Sequence, residues 1–137
     1  MRILIVEDDL SSQLFLQVVL REYAPCEVAE NGLQAVRMYI DAAVSGDPFD
    51  VVFMDIMMPE MDGLAAMDRI REFEALNPQS VPRRTHVVVV TATEDMQSLI
   101  HAYCSGEVFA FLKKPLESGV LQATMDTIVQ DGAGAPE

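Results

Sequence analysis

Cysteine and basic residues are both scarce in this sequence. The two cysteines, Cys26 and Cys104, are far apart and form no C-x-x-C pair, which excludes a disulfide framework and indicates free thiols in a reducing compartment. Lysine and arginine number 9 against 22 aspartates and glutamates, giving a formal net charge of −13. Because this charge repels phosphate backbones, we expect no direct binding of nucleic acid, and we expect partners that are cations or basic surfaces.

Long apolar runs are also absent. No run approaches the ~18 to 20 residues that span a bilayer. The opening segment MRILIVEDD is too short, and becomes acidic too soon, for a signal peptide. We therefore expect a cytoplasmic protein that does not contact membranes. Half of the 137 residues are hydrophobic, which is enough for the core of a single domain.

Short segments rich in valine, isoleucine and phenylalanine alternate with segments of helical spacing. The short segments show little polar alternation, as strands buried on both faces do. They are Arg2–Val6, Cys26–Ala29, Asp50–Met54, His86–Thr91 and Val108–Leu112, of which the second is the weakest. Helical spacing occurs within residues 14–21, 33–44, 64–73, 94–104 and 120–128, and Leu14 and Val18 carry the apolar stripe of the first helix. This alternation predicts one α/β domain, in which five helices cover both faces of a five-stranded parallel sheet.

Polar residues follow the predicted strands at their carboxyl ends, where open α/β sheets place their sites. They are Glu7, Asp8 and Asp9 after the first strand, Asp55 at the end of the third, Thr91 after the fourth, and Lys113 and Lys114 after the fifth. We expect several of these side chains to meet in one crevice, with Asp55 facing solvent at its mouth. Each residue also has an ordinary alternative role; Asp9 or Ser11, for example, could cap the first helix.

This mixture of side chains favours chemistry at phosphorus. Clustered carboxylates raise one another's pKa unless a cation neutralises them. Oxygen ligands with no histidine or cysteine nearby in the sequence favour Mg²⁺. A carboxylate beside Mg²⁺, with an ammonium and a hydroxyl in reach, is equipped to attack a phosphorus atom while the cations neutralise the transferring group.

Four motifs occur in order along the chain: ILIVEDD, FMDIMMPEMDG, VVVTA and FLKKP. With them the chain resembles, from about Met1 to Val129, a receiver domain of the two-component response regulator family. The resemblance implies a flavodoxin-like fold with strand order 2-1-3-4-5. It also implies a signalling switch in which Asp55 accepts a phosphoryl group from a sensor histidine kinase or a histidine phosphotransfer protein. Such a domain is an enzyme only in catalysing its own phosphorylation and dephosphorylation.

The same resemblance implies roles for the residues of the crevice. The implied ligands of Mg²⁺, for which Mn²⁺ can substitute, are Glu7, Asp8, Asp55 and the backbone carbonyl of Met57. Lys114 would pair with the phosphoryl oxygens, Thr91 would donate a hydrogen bond to them, and Phe111 would reorient together with Thr91. Glu7 replaces the commoner aspartate of the family, and Phe111 lacks the hydroxyl of the commoner tyrosine.

The signal is expected to leave the domain through a protein partner. The face formed by residues 94–129 carries the aromatic residues Tyr103, Phe109 and Phe111. We expect this face to bind a downstream target, or a second copy of the chain, more tightly when Asp55 is phosphorylated.

Two other classes of protein are alternatives. A hydrolase with an aspartyl nucleophile would need a second acid two residues beyond Asp55, where Met57 stands. A flavin carrier of the same fold would need a loop rich in serine, threonine and glycine after the first strand, and acidic residues stand there instead. The native start and the glycine- and alanine-rich residues 131–137, expected to be a flexible tail after a domain of residues 1–130, favour a stand-alone receiver. A receiver excised from a longer response regulator or hybrid kinase is the alternative.

Overall fold

Strands and helices alternate along the chain in the computed structural model, which describes residues 1–56, 63–92 and 108–131. The strands are β1 (Ile3–Val6), β2 (Cys26–Ala29), β3 (Val51–Asp55), β4 (His86–Thr91) and β5 (Ala110–Lys113). The helices in the described ranges are α1 (Leu10–Leu20), α2 (Gly32–Val44), α3 (Gly63–Leu76) and α4 (Ser118–Gln130). The helix predicted within residues 94–104 lies outside the described residues, and so does the tail from residue 132, whose flexibility stays a prediction.

The five strands form one parallel sheet in the order β2-β1-β3-β4-β5, which confirms the predicted topology. In the register of this sheet, Val6 of β1 lies opposite Met54 of β3, and Asp55 lies opposite Val90 of β4. The carboxyl ends of β1, β3 and β4 therefore meet at the same edge. The residues that follow β1 and β3 are brought side by side there.

The sheet is buried on both faces, because successive side chains of a strand point to opposite sides. Leu4, Val6, Val52 and Met54 pack into the core beneath α2 and α3. Ile3, Ile5, Val51 and Phe53 pack into the core beneath α1 and α4. Full burial of such a side chain contributes roughly 1.5 to 3 kcal/mol. The central strands are therefore held firmly, and their carboxyl ends form a rigid base for a site.

The first helix begins at a capped residue. Asp9 has an extended backbone and its Oδ2 accepts a hydrogen bond from the Ser12 amide at 2.9 Å. Bonds from Ser12 lower the pKa of Asp9. Asp9, and not Ser11, is thus the N-cap of α1, and only three residues separate β1 from α1. No helix in the described ranges is long and apolar enough to cross a membrane.

Candidate metal centre at the carboxyl edge of the sheet

Three carboxylates converge where β1 and β3 end. One carboxylate oxygen from each of Glu7, Asp8 and Asp55 lies within 4.8 Å of the others. Adjacent parallel strands cause this arrangement, since Glu7 and Asp8 directly follow β1 and Asp55 ends β3. The predicted convergence of these acids is confirmed.

The expectation that Asp55 faces solvent is wrong. Its exposed fraction is 4%, that of Glu7 is 0%, and only Asp8 of the three acids is exposed. The reason is that β3 lies in the centre of the sheet between β1 and β4, and the Lys114 side chain lies against the Asp55 carboxylate. The Asp55 carboxylate is therefore almost completely shielded from solvent.

Lys114 bridges two of the acids. Its Nζ donates hydrogen bonds to Glu7 Oε1 at 2.9 Å and to Asp55 Oδ2 at 3.1 Å. Burial opposes the charged ammonium, but the bonds to Glu7 and Asp55 and the attraction of their charges outweigh it, so the pKa of Lys114 is raised. The ammonium therefore stays charged at neutral pH and supplies one positive charge among three carboxylates.

The surroundings of Glu7 disfavour its charged form. Burial first, and then its hydrogen bond and repulsion with Asp55, raise the pKa of Glu7 to about 7, although Lys114 acts in the opposite direction. Its second oxygen, Oε2, is buried and has no hydrogen-bond partner among the described residues. A buried carboxylate oxygen without a partner is costly, and a cation placed among the three acids would satisfy it. The all-oxygen donor set therefore fits a hard divalent cation.

The other predicted site residues lie close by or beyond the described ranges. Thr91 is buried at the end of β4, and its carbonyl accepts a hydrogen bond from the Lys114 amide at 2.8 Å. Phe111 is half-buried and packs against the core beneath α2 and α3. Lys113 is exposed. Met57 lies outside the described residues, so its role as a ligand stays a prediction.

Two further residues contact the site and were not singled out from the sequence. Gln13 Nε2 donates to the backbone oxygen of Glu7 at 2.7 Å. Gly63, the first residue of α3, lies so close to β3 that a Cβ at this position would be 2.6 Å from the backbone oxygen of Asp55. Gly63 ends the motif FMDIMMPEMDG, which hinted at a role, whereas nothing in the sequence marks Gln13.

Comparison with known proteins supports the same interpretation. Residues 3–126 match the family described as "Response regulator receiver domain". The chain is 35% identical over 125 residues to the transcriptional regulatory protein ZraR of Escherichia coli, covering 90% of this chain and 25% of ZraR. It is 30% identical over 131 residues to the chemotaxis protein CheY of Halobacterium salinarum, covering 93% and 96% of the two chains.

Solved structures agree on the fold. The structure of the CheX–CheY–BeF₃–Mg²⁺ complex from Borrelia burgdorferi superimposes with a TM-score of 0.75 at 23% identity, covering 94% of this chain and 89% of that chain. The chain thus spans about a quarter of ZraR but nearly the whole of the Halobacterium CheY. With this fold, the acidic pocket and the match over residues 3–126, the chain belongs to the response regulator receiver domain family, whose members are modules of two-component signalling rather than metabolic enzymes.

Proposed function

We propose that this receiver domain is a phosphorylation switch in which Asp55 accepts the phosphoryl group. The observation that carries the proposal is the bridge from Lys114 to both Glu7 and Asp55, at 2.9 and 3.1 Å, in a pocket of three carboxylates. One carboxylate oxygen of Asp55 would form the new bond to phosphorus while the donor's bond to phosphorus breaks. The imidazole of a phosphohistidine, or the acetate of acetyl phosphate, would leave with the electron pair of that bond.

We assign the metal of this site to Mg²⁺, held by Glu7, Asp8 and Asp55 together with the backbone carbonyl of Met57. When bound, Mg²⁺ would neutralise the acids and the phosphoryl oxygens. The donor set supports this choice, because hard oxygens and one exposed ligand, Asp8, suit an ion that keeps several waters. The Borrelia burgdorferi CheY complex also contains Mg²⁺.

The chain's own residues would divide the remaining work. Lys114, already 3.1 Å from Asp55, would follow the negative charge onto the phosphoryl oxygens. Thr91, at the end of the neighbouring strand, would donate its hydroxyl to the same oxygens. Phe111, two residues before Lys113 on β5, would then repack. Burial of Asp55 would limit the access of water to the phosphoryl group.

Mass spectrometry of the intact chain after incubation with acetyl phosphate and Mg²⁺ tests this function. We expect one phosphoryl group per chain with Mg²⁺ and none when the metal is removed with EDTA. Equal phosphorylation with and without the metal would exclude the proposed metal role, and no phosphorylation by any donor would exclude the switch.

The exposed face of α1 supports a protein phosphodonor as the upstream partner. Leu10, Leu14 and Val18 recur every fourth residue and are 66%, 53% and 53% exposed. The helix, LSSQLFLQVVL, contains no charged residue although the whole chain has a net charge of −13. It also begins directly after the acids of the pocket. We propose that the apolar surface of a histidine kinase or phosphotransfer protein docks on these three side chains and so presents its phosphohistidine to Asp55.

A charge placed in the exposed apolar stripe of Leu10, Leu14 and Val18 should affect a protein phosphodonor but not acetyl phosphate. We expect Leu14→Glu to slow phosphotransfer from a phosphorylated phosphotransfer protein roughly tenfold, or ~1.4 kcal/mol, because the carboxylate would be buried in the interface. Phosphorylation by acetyl phosphate should stay unchanged. The matched control is Leu76→Glu, at a leucine at the end of α3 that is 71% exposed and lies outside the α1 stripe. An equal effect of both substitutions, or of Leu14→Glu on both donors, would contradict docking on α1.

We propose that the downstream partner, a target protein or a second copy, binds the face of residues 94–129. The described part of this face has an apolar cavity of about 400 Å³ between β5 and α4, lined by Phe109, Ala110, Gly119, Val120, Ala123, Thr124 and Thr127. Phe109 contacts His86 of β4 edge-on at 5.1 Å between ring centroids. Phe111 of β5 packs on the opposite face of the sheet, and its repacking would reach the cavity by shifting the β5 backbone beside Ala110.

Amide hydrogen exchange with and without beryllofluoride, which mimics the phosphoryl group, tests the output face. We expect changes in protection within residues 108–129, because the added negative charge attracts the Thr91 hydroxyl and Phe111 then repacks. Changes confined to residues 2–31 would show that the signal leaves through another surface.

A further inference from the structure

The loop between β1 and α1 has an unusual composition for its length. It consists of Glu7, Asp8 and Asp9 alone, so three acids occupy three consecutive positions. The first two belong to the carboxylate cluster, and Asp9 caps α1 through Ser12. Repulsion between these charges favours turning the side chains away from each other, so a convergent arrangement needs groups that hold the backbone in place. The structure holds one carboxylate oxygen each of Glu7 and Asp8 within 4.8 Å of a carboxylate oxygen of Asp55.

Gln13 closes this loop at both ends. Its backbone amide donates to the Asp9 oxygen at 2.9 Å, which is the first turn of α1. Its side-chain Nε2 donates to the Glu7 oxygen at 2.7 Å. The Glu7 amide, in turn, donates to the Ala29 oxygen of β2 at 3.0 Å. The backbone of the loop is therefore bonded to the sheet on one side and to the helix on the other.

The oxygen that Gln13 holds belongs to the peptide group that joins Glu7 to Asp8. A peptide group is planar and includes the Cα atoms of both residues, so fixing its oxygen also restrains the Cα atoms of Glu7 and Asp8. One side-chain hydrogen bond thus restrains the backbone positions from which two carboxylate side chains extend. Groups that orient metal ligands in this way are known to influence metal affinity.

We propose that Gln13 is a positioning residue that preorganises the cation site, by holding the Glu7–Asp8 peptide group so that both carboxylates face Asp55 before the metal arrives. This inference rests on the proposed function, since it takes Glu7 and Asp8 as metal ligands. Gln13 acts through these residues and itself contacts neither the metal nor the phosphoryl group.

The decisive comparison is between Gln13→Met and Gln17→Met in the full chain. Methionine matches glutamine in length but donates no hydrogen bond, and Gln17 lies one turn further along the same helix. Calorimetric titration with Mg²⁺ alone gives the dissociation constant of Mg²⁺. We expect Gln13→Met to raise it roughly tenfold, at the lower end of the effects seen for residues that orient metal ligands, and Gln17→Met to leave it unchanged within about twofold.

A second measurement separates positioning from a general loss of stability. In the metal-free protein, amide exchange at Glu7 and Ser12, whose amides donate to Ala29 and Asp9, should become faster in Gln13→Met while the remaining sheet amides of β1 and β3 keep their protection. A wild-type Mg²⁺ affinity in Gln13→Met would overturn the inference, whatever the melting temperature. If the wild type itself bound no Mg²⁺, the proposed function would fail, and unchanged loop exchange in Gln13→Met would then overturn the positioning role independently.

Discussion

Replacement of Asp55 by asparagine is expected to abolish phosphorylation of the chain by acetyl phosphate in the presence of Mg²⁺. Asparagine has nearly the same shape as aspartate, but its neutral amide cannot attack phosphorus as a carboxylate does. The remaining bond of Lys114 to Glu7, at 2.9 Å, keeps the pocket together in the variant. The mass of the intact variant should therefore stay that of the unmodified chain, whereas the wild type gains one phosphoryl group.

The matched control is an aspartate at the opposite end of the same strand. Asp50 directly precedes β3, and its Oδ2 accepts a hydrogen bond from the Arg2 amide at 2.9 Å. We expect Asp50→Asn to weaken that bond, at a cost of about 1 kcal/mol in stability, and to be phosphorylated as the wild type is. Wild-type stoichiometry in Asp55→Asn would move the acceptor elsewhere, and Asp8, the exposed acid of the cluster, would be the first candidate.

The sheet could be predicted well because its strands are buried on both faces. The strand His86–Thr91 has its predicted bounds, since a run of four β-branched valines favours a strand buried on both faces. The fifth strand begins two residues later than predicted, at Ala110 opposite Val88. The apolar Phe109 favours a longer strand, but its ring packs against His86 and is 37% exposed.

The buried face of α1 could not be predicted from hydrophobicity. The spacing of Leu14 and Val18 predicts that they face the core, yet both are exposed, and the buried residues are Leu16, Val19 and Leu20. The helix has apolar residues on almost every side, so the pattern does not distinguish the face that meets the core from the face that meets solvent or a partner. The exposed residues Leu10, Leu14 and Val18 are instead available to a partner, as proposed above.

The candidate site was predictable in its members but not in its contacts. Strand ends in a parallel sheet converge by topology, so Glu7, Asp8 and Asp55 could be grouped from the sequence alone. The bond from Lys114 to Glu7 spans 107 positions, and the burial of Asp55 depends on it and on both neighbouring strands. The role of Gln13 is not predictable from the sequence, because a helical glutamine can make many contacts and only the structure shows that it bonds to Glu7.

The substitution Gly63→Ala should damage both the stability of the domain and its phosphorylation. An added Cβ would lie 2.6 Å from the backbone oxygen of Asp55, 2.7 Å from the Ile56 Cα and 3.0 Å from the Met54 Cγ. Two of these neighbours are backbone atoms of the chain at the end of β3, which cannot rotate aside. The requirement for glycine is therefore close approach of α3 to β3, and the strain falls on the residue that carries the acceptor carboxylate.

For Gly63→Ala we expect a loss of roughly 2 to 3 kcal/mol in the free energy of unfolding, as for other overpacked cores, measured by urea denaturation. We also expect phosphorylation by acetyl phosphate to slow at least tenfold when the variant is fully folded, because a shift of about 1 Å at a reacting group can cost roughly a hundredfold. The control is Gly119→Ala near the start of α4, where an added Cβ meets nothing within 4 Å. That variant should keep the wild-type rate and lose no stability. If both variants behaved alike, the contact between α3 and the end of β3 would not be what sets the position of Asp55.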